Sequence, residues 1–296
     1  MPRESNGPLM VFDAPSLLFR AFYALPDTIR APDDGPAVNA LLGSVNIVLF
    51  ELERYGPRAV VACFGPDAAP YRTELYPAYH ADRPEVPEGL AWQFARAPAF
   101  YEAFGWTVAY DAAVEADDLL GSYAAAEQAA GGRALILTGD RDMYQCAGEH
   151  ARVLYVKTGS KDGAELVDAA EVRRRYGVGP ELVPDFIALR GDPSDGLPGA
   201  KGVGEKTAAQ LLSDFGSLEG VIEASAKVTG PIRPRVATAI RESAHDLRAF
   251  REIATLRSVE VALPPDGPLD SARAAAAARE LGMNRLAERV EGLVRA

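Results

Sequence analysis

The sequence predicts an α/β fold in which a mainly parallel sheet flanked by helices is followed by a mostly helical part. Up to about residue 180, short apolar runs alternate with longer amphipathic stretches. This alternation is typical of a parallel sheet with helices on both faces. After Pro180 the strand-like runs nearly disappear, and helical stretches are joined by turns rich in Gly, Pro and Ser. We therefore predict a disordered tail at 1–8, an α/β core at 9–180 and a helical part at 181–296.

The core elements follow in order along the chain. Apolar runs predict strands at 9–13, 59–64, 105–110 and 134–138. Between them, the spacing of apolar residues predicts helices at 36–56, with Pro at its start and Gly at its end, and at 116–130. In the second part the same spacing predicts helices at about 180–190, 205–214, 232–254 and 270–295.

Composition narrows the class of protein. The 296 residues are 48% hydrophobic and 25% charged, an ordinary globular balance, and no apolar stretch is long enough to span a membrane. The N-terminal residues lack the apolar run of a signal peptide, and the two cysteines have no ligand spacing, so we expect a cytoplasmic protein. The net charge of −11 by itself argues against binding to nucleic acid. Bound cations would partly neutralise clustered acids, so charge does not decide the question.

Acidic residues follow all four predicted strands. Because the carboxyl ends of parallel strands meet at one edge of the sheet, these side chains are expected to share a crevice there. They are Asp13, Asp67, Glu115, Asp117, Asp118, Asp140 and Asp142. Each one alone is more simply explained as a turn residue or a helix cap. Seven together would repel one another strongly unless cations bound among them.

The ligand types point to a particular metal. Carboxylate oxygens without nearby His or Cys favour Mg²⁺ or Mn²⁺ over zinc, and the three histidines His80, His150 and His245 lie outside these acidic runs. Two such ions held roughly 3.5–4 Å apart can activate a water and stabilise the leaving oxygen of a phosphodiester. No Ser-His-Asp or Cys-His arrangement offers another nucleophile.

A glycine-rich segment at 191–207, GDPSDGLPGAKGVGEKT, adds Asp192 and Asp195 to the acids. Behind them, a tight glycine turn opens into a helix, whose N-terminus and lysines can hold a phosphate. The alternative of a Walker A loop fails, because Glu205 is inserted before Lys206 and the segment follows a helix instead of a strand. A plain turn between helices remains the alternative for this segment taken alone.

Five segments, in this order, resemble the 5′ nuclease domain of bacterial DNA polymerase I and its free-standing relatives. They are VFDAPSLLFRAFYALP, FGPDAAPYRTELYPAYHADRP, EADDLLGS, GDRDMYQ and GDPSDGLPGAKGVGEKTAAQLL, and they extend from about Leu9 to beyond Leu212. The resemblance implies a PIN-like nuclease core with a helical gateway or arch at about 70–105. It also implies a helix–three-turn–helix DNA-binding hairpin at about 186–215.

The same resemblance implies an activity and its components. We expect two or more Mg²⁺ or Mn²⁺ ions to serve cleavage of the 5′ strand at flaps, nicks and junctions of DNA, or in RNA–DNA hybrids. A K⁺ held by hairpin carbonyls, no organic cofactor, no membrane and a stand-alone monomer are also expected. The nine acids match metal ligands, and Arg83 and His80 match catalytic gateway residues. The residues matching DNA contacts are Arg20, Arg72, Lys201, Gly202, Gly204, Lys206 and Thr207.

Two positions depart from the family pattern. Gly196 stands where Asn usually follows the second acid, and His80 stands where the gateway usually has Lys. A DNA-binding protein that has lost catalysis is one alternative, but none of the nine acids is missing. A phosphatase of small molecules is another, but it would explain neither the hairpin nor the Arg83 segment.

Overall fold

A computed structural model describes residues 7–157, 162–227 and 232–293. One sheet contains β1 (Leu9–Asp13), β2 (Ala59–Phe64), β3 (Thr107–Tyr110), β4 (Ala134–Thr138), β5 (Ala151–Tyr155) and β6 (Glu165–Val167). The strand order is β3-β2-β1-β4-β5-β6. The first five strands pair in parallel, and β6 runs antiparallel to β5. The prediction of a mainly parallel sheet is confirmed.

Both faces of the sheet are covered, because neighbouring residues of a strand point to opposite sides. In β1, Met10 and Phe12 join one hydrophobic cluster, while Leu9 and Val11 join another. The first cluster includes α1 (Ala14–Ala24), α2 (Asn39–Tyr55) and α4 (Glu88–Ala103). The second includes α3 (Pro70–Leu75) and α5 (Ala116–Ala129). The central strands are therefore fully buried, and their carboxyl ends are free to carry the site.

The described chain after β6 is mostly helical, and its first six helices continue the α5 side of the core. These helices are α6 (Ala169–Tyr176), α7 (Val183–Arg190), α8 (Glu205–Phe215), α9 (Leu218–Ser225), α10 (Pro234–Glu242) and α11 (Ala244–Ala254). Phe186, Leu212 and Phe250 are buried in the same cluster as α5. The hairpin of α7 and α8 is thus fixed against the sheet.

The last two helices return to the opposite face of the sheet. Residues of α12 (Ser271–Glu280) and α13 (Asn284–Leu293), among them Ala278 and Val290, are buried in the cluster of α2 and α4. The preceding segment is tied to the core by Trp106, whose indole donates to the Pro268 carbonyl at 3.0 Å. Although the sequence grouped 181–296 as one helical part, these two helices pack with the N-terminal core.

Several predicted boundaries change in the structure. The helix predicted at 232–254 is two helices broken at Ser243, and that at 270–295 is broken at Gly282, which adopts a left-handed φ of 74°. Strands β5 and β6 and helix α9 were not predicted. The predicted gateway at 70–105 consists of α3, a stretch without regular structure, and α4. Most of the predicted tail at 1–8 lies outside the described residues. None of the helices in the described ranges is long and apolar enough to cross a membrane.

Candidate active site

A cleft of about 1320 Å³ opens at the carboxyl edge of the sheet. Eight of the nine predicted carboxylates line it, namely Asp13, Asp67, Glu115, Asp117, Asp140, Asp142, Asp192 and Asp195. Arg20, Arg72, His80 and Arg83 line it too. The convergence follows from topology, because β1, β2 and β4 are parallel neighbours and end at the same edge.

Asp13 is a buried residue of the site, and hydrogen bonds hold its carboxylate in place. It ends β1 and caps α1, accepting the Ser16 N–H and the Thr138 hydroxyl, each at 2.9 Å. Burial raises the pKa of its carboxyl, although these two donors and the charge of Arg20 act in the opposite direction. The carboxylate is therefore held in one orientation at the end of the central strand.

Asp140 and Asp142 occupy the turn that follows β4. The Asp142 N–H donates to the Asp140 carboxylate at 2.8 Å, and the Asp140 N–H donates to the Thr138 hydroxyl at 3.0 Å. Burial and the charge of Asp195 raise the pKa of Asp140 to about 6. Burial and the charge of Asp140 also raise the pKa of Asp142. The turn thus presents two partly desolvated carboxyl groups to the cleft.

Asp117 completes this group from the start of α5. Burial raises its pKa, and the charges of Asp140 and Asp13 raise it further. Carboxylates from three segments therefore repel one another across the cleft, and a divalent cation would relieve that repulsion. The donors are oxygens throughout, which fits Mg²⁺ or Mn²⁺. The grouping of carboxylate oxygens, without nitrogen or sulfur ligands, is the observation that supports a metal centre here.

The remaining acids are paired with protein donors. Arg83 donates to Asp67 at 2.9 Å and to Asp195 at 3.1 Å, and Arg190 donates to Asp192 at 3.2 Å. In the described ranges, no group of three or more His, Cys, Asp or Glu side chains is arranged to hold a metal ion. Cation binding in the cleft would therefore require some of the cleft carboxylates to move.

Asp118 differs from the prediction that it binds metal. Its side chain is fully buried and does not line the cleft. It accepts the N–H groups of Glu115 and Arg257, at 3.1 Å and 2.7 Å, and the Tyr71 hydroxyl at 3.1 Å. These donors occupy its oxygens, because Asp118 is the third residue of α5 and forms a capping box with Glu115. Its role here is to hold α5 in place.

Arg72 likewise differs from the prediction that it contacts DNA. It is only 3% exposed, and its guanidinium forms ion pairs with Glu115 and Asp118. These carboxylates raise the pKa of Arg72 against the opposing effect of burial. The arginine consequently joins α3 to the start of α5 instead of facing a phosphate. Glu115 also accepts the Ala69 N–H at 2.7 Å, which fixes the loop that carries Asp67.

His80 was expected to lie outside the acidic runs and to serve as a gateway residue in place of Lys, but the structure places it differently. It is 8% exposed, and its ring contacts the Asp67 carbonyl at 2.6 Å and the Asp195 carboxylate at 3.1 Å. It therefore lies within the acidic cluster, although the sequence separates it from every acidic run. Because both ring nitrogens are engaged, His80 is not an open cation of the gateway. Arg83, with its side chain 37% exposed, is more accessible.

The hairpin presents an open surface beside the cleft. Lys201, Gly202, Gly204 and Lys206 are exposed, and Thr207 is half-buried. Gly202 has a left-handed φ of 84°, and a Cβ built there would meet no atom within 4 Å. The backbone of the turn is consequently accessible at the N-terminus of α8, as a phosphate contact requires.

Several residues of the site were not singled out in the sequence. Thr138, Arg141, Arg190 and the aromatic pair Phe19 and Phe94 are among them. Phe19 and Phe94 line the cleft, with ring centroids 5.5 Å apart, and bring α4 against α1. The spacing of Phe19 and Phe94 along their helices is that of ordinary core residues, so nothing in the sequence indicated that they line the cleft. Thr138 and Arg141 were detectable only by their position beside Asp140.

Comparisons with known proteins show the family to which the chain belongs. The N-terminal resolvase-like domain of the 5′-3′ exonuclease family matches residues 8–177, and the C-terminal SAM fold of that family matches 178–275. A 5′-3′ exonuclease of Streptomyces coelicolor is 36% identical over 301 residues, covering 95% of this chain and 98% of that protein. DNA polymerase I of Mycobacterium tuberculosis is 37% identical over 259 residues, covering 87% of this chain. This match spans only 28% of the polymerase.

Solved structures resemble the fold. The bacteriophage T5 flap endonuclease, in a complex with DNA and metal ions, superposes with a TM-score of 0.68 at 15% identity, covering 97% of this chain and 99% of the other. The catalytic core of Rad2 in complex with DNA substrate gives a TM-score of 0.63 at 15% identity, covering 97% and 90%. At this identity the likeness shows the fold alone.

Proposed function

This chain belongs to the 5′-3′ exonuclease family, and we propose that it hydrolyses phosphodiesters of the 5′ strand at junctions between single-stranded and duplex DNA, using divalent metal ions. The observation that carries the proposal is the cleft at the carboxyl edge of the sheet, where eight carboxylates converge. Its substrates are flaps, nicks and junctions, with RNA–DNA hybrids as further candidates, in DNA replication and repair.

The metal ions are proposed to be two Mg²⁺ or Mn²⁺ ions. Asp13, Asp117, Asp140 and Asp142 are the best candidates to hold them, because burial raises the pKa of all four and neighbouring carboxylates raise it further for the last three. Asp67, Glu115, Asp192 and Asp195 surround these four. Bound there, such ions would activate water and stabilise the leaving oxygen. Asp118 is left out of this set, because protein donors already fill its oxygens.

Two arginines are placed to orient the scissile strand. Arg83 spans Asp67 and Asp195 at the wall of the cleft, and exchange of these acids for cations would free its guanidinium for a phosphate. Arg20 lines the cleft next to Asp13 and donates to the Gly139 carbonyl. We propose Arg83 as a catalytic residue and Arg20 as a DNA contact. Arg72 and His80 support the site from within.

The hairpin is proposed to hold the duplex side of the junction. Lys201 and Lys206 supply positive charge, and the exposed backbone of Gly202 and Gly204, with Thr207 at the start of α8, can donate to phosphate oxygens. Carbonyls of this turn are a candidate site for K⁺. We further propose a monomer that acts in the cytoplasm, where the free thiols of Cys63 and Cys146 would stay reduced.

The proposal is tested by Mn²⁺ binding and cleavage in the same preparation. Electron paramagnetic resonance should count two bound ions in the wild type, and Asp140→Asn should lose at least one of them. The same change should reduce flap cleavage by about 10³-fold, since a lost ligand removes several kcal/mol of transition-state stabilisation. DNA binding should be retained. Wild-type protein that cleaves equally well in excess EDTA would overturn the proposal.

A further inference from the structure

His80 lies where three segments of the site meet. Its ring is stacked on Tyr79, with centroids 3.7 Å apart and planes inclined by 21°. The Tyr79 hydroxyl in turn donates to the Glu115 carboxylate at 3.0 Å. The imidazole itself contacts the loops of Asp67 and Asp195. One buried side chain is thus connected to acids that follow β2, that begin α5 and that follow α7.

The two ring contacts point in opposite directions. Nδ1 lies 2.6 Å from the backbone carbonyl of Asp67, and Nε2 lies 3.1 Å from a carboxylate oxygen of Asp195. Both partners are acceptor oxygens, and each lies within hydrogen-bond distance of one ring nitrogen. The backbone N–H of His80 also donates to the backbone carbonyl of Asp195 at 3.3 Å. Movement of either loop would break at least one of these bonds.

A lysine could not replace this arrangement. Its three donors all lie on one nitrogen at the end of a flexible chain, so they cannot be held at two separate places as the ring nitrogens are, and it has no flat ring to stack on Tyr79. The imidazole is also shorter than a lysine side chain, so it reaches both oxygens only where the two loops approach closely. The identity of residue 80 is therefore linked to the distance between the loops.

Gly196 permits that close approach. It adopts a left-handed φ of 73°, and a Cβ built there would lie 2.9 Å from the Ala78 carbonyl oxygen. Any larger residue must push the 78–80 segment away from the 192–197 loop. Such a displacement would lengthen the contacts of His80 to Asp195. The two positions that depart from the family pattern are therefore neighbours in space.

We propose that His80 is a positioning residue that clamps the loop of Asp67 to the loop of Asp195, and that Gly196 is required for the clamp to close. The inference rests on the proposed function, because it takes these two acids as part of a metal centre. Substitutions beside metal ligands typically lower metal affinity by about 10–100-fold. His80→Ala should have an effect of this size on Mn²⁺ affinity, and so should Gly196→Ala.

The decisive measurement is a double-mutant cycle on Mn²⁺ affinity, read by electron paramagnetic resonance on the full chain without DNA. If Gly196 acts through His80, then Gly196→Ala should change the affinity little when His80 is already Ala. His80→Lys should not restore the affinity in the Gly196 background. His245→Ala, which removes an exposed histidine of α11, is the matched control and should leave the affinity unchanged.

Other outcomes are equally informative. Independent, multiplying effects of the two substitutions, or an unchanged affinity in His80→Ala, would overturn the clamp. A melting curve checks that each variant is folded. If His80→Ala does not fold, His80→Gln replaces it in the cycle, because its amide can keep at most one of the two contacts and should lose less affinity than a side chain that keeps neither. A wild-type protein that binds no Mn²⁺ would overturn the proposed function itself, and the clamp with it.

Discussion

Asp117 and Asp118 are neighbours in the chain, but their carboxylates serve different purposes. Asp117 faces the cleft, where burial and the charges of Asp140 and Asp13 raise its pKa. Asp118 points away from the cleft and accepts hydrogen bonds from α3, α5 and the segment after α11. One residue along a helix rotates the side chain by about 100°, so adjacent acids at a helix start seldom share a role.

This contrast gives a matched pair of substitutions. Asp117→Asn should reduce cleavage by about 10³-fold and leave the melting temperature unchanged or slightly higher, because it relieves repulsion among carboxylates. Asp118→Asn should instead lower stability by roughly 2–3 kcal/mol, since it weakens the buried partner of Arg72. Urea unfolding and single-turnover cleavage separate the two effects. If Asp118→Asn abolished Mn²⁺ binding at full stability, Asp118 would be a ligand after all.

At this scale the sequence predicted where the acids lie but not which way they face. The ends of β1 and β4 directly specify Asp13 and Asp140, because each follows a buried strand. Arg72 and His80 could not be predicted in the same way. Their partners Asp118 and Asp195 are distant in the chain, and only the packing of α3 against α5 and the 192–197 loop determines those contacts.

At the scale of elements, the hairpin between α7 and α8 combines a rigid base with an exposed turn. Phe186 and Leu212 are buried, while Lys201 and Lys206 are exposed. A phosphate can therefore reach the turn without disturbing the core. Binding at this surface should consist mainly of contacts to the DNA backbone, which are independent of base sequence.

Lys206→Ala tests this role of the hairpin. Loss of one phosphate contact should weaken duplex binding and lower the slope of log affinity against log salt concentration by about one unit. Cleavage of bound DNA should change less. Lys227→Ala removes the same charge from an exposed position beyond α9 and is the control. An equal loss of slope in both variants would show a general charge effect and contradict a specific contact.

Helix α2 carries an acid that the site does not use. The Glu51 side chain is 1% exposed, and one of its oxygens accepts the Ala164 N–H at 2.6 Å. Within the described residues its other oxygen has no hydrogen-bond partner. Burial raises the pKa of Glu51 above its ordinary value, against the smaller opposing effects of this N–H and of Arg54. Ionisation of Glu51 therefore destabilises the folded state.

The pH dependence follows from the direction of this shift. Because the folded pKa is raised, the folded state binds the proton more tightly, and stability is lost as pH rises from 4.5 through the folded pKa. Glu51→Gln should remove that loss, raising the free energy of unfolding by about 1 kcal/mol at pH 8 and by less at pH 5. Chemical unfolding at both values measures it. Glu74→Gln, at an exposed position on α3, is the control. An equal gain at both values would contradict the assignment.

Strands could be predicted from the sequence where their apolar runs were continuous. The buried strands β1, β2 and β4 appear at the predicted residues, since a parallel sheet covered on both faces requires continuous apolar runs. β5 and β6 lie toward one edge of the sheet, and their apolar runs are short or interrupted, as by exposed Arg152, the second residue of β5. The helix break at Gly282 has a local signal, a glycine with a left-handed φ of 74°, which the apolar spacing of the segment concealed, whereas the break at Ser243 has no such glycine.

At the scale of the whole molecule, a buried ion pair joins the end of the chain to its core. Arg58 is 4% exposed and donates to Glu127 of α5 at 2.9 Å. It also donates to the Pro264 carbonyl at 3.0 Å and to Asp266 at 2.9 Å. This one side chain therefore connects β2, α5 and the segment that leads to α12.

Arg58→Met should destabilise the protein by about 3–5 kcal/mol, because it leaves the charge of Glu127 buried without a partner. Adding Glu127→Gln should recover part of that loss. Equilibrium unfolding in urea measures both variants, and cleavage at a temperature where they are folded should stay close to wild type. A single variant as stable as the wild type would show that the pair does not join these segments.

The net charge of −11 is compatible with DNA binding because the acidic and basic side chains lie in different places. Eight acids line the cleft, where metal ions would neutralise part of their charge, whereas exposed lysines mark the hairpin. Cleavage, more than binding of the duplex at the hairpin, is therefore expected to depend strongly on the divalent cation. This dependence distinguishes the chain from a basic protein that coats DNA through its net charge.

Product mapping on DNA shows whether the protein cuts the 5′ strand at junctions and needs a divalent cation to do so. The substrates are a 5′-labelled flap, a nicked duplex and a single strand, each incubated with Mg²⁺ and with EDTA. Cleavage of the 5′ strand at or beside the junction, requiring Mg²⁺ and much weaker on the single strand, is the result that this account predicts. Equal cutting of all three substrates, or cutting that continues in EDTA, would contradict it.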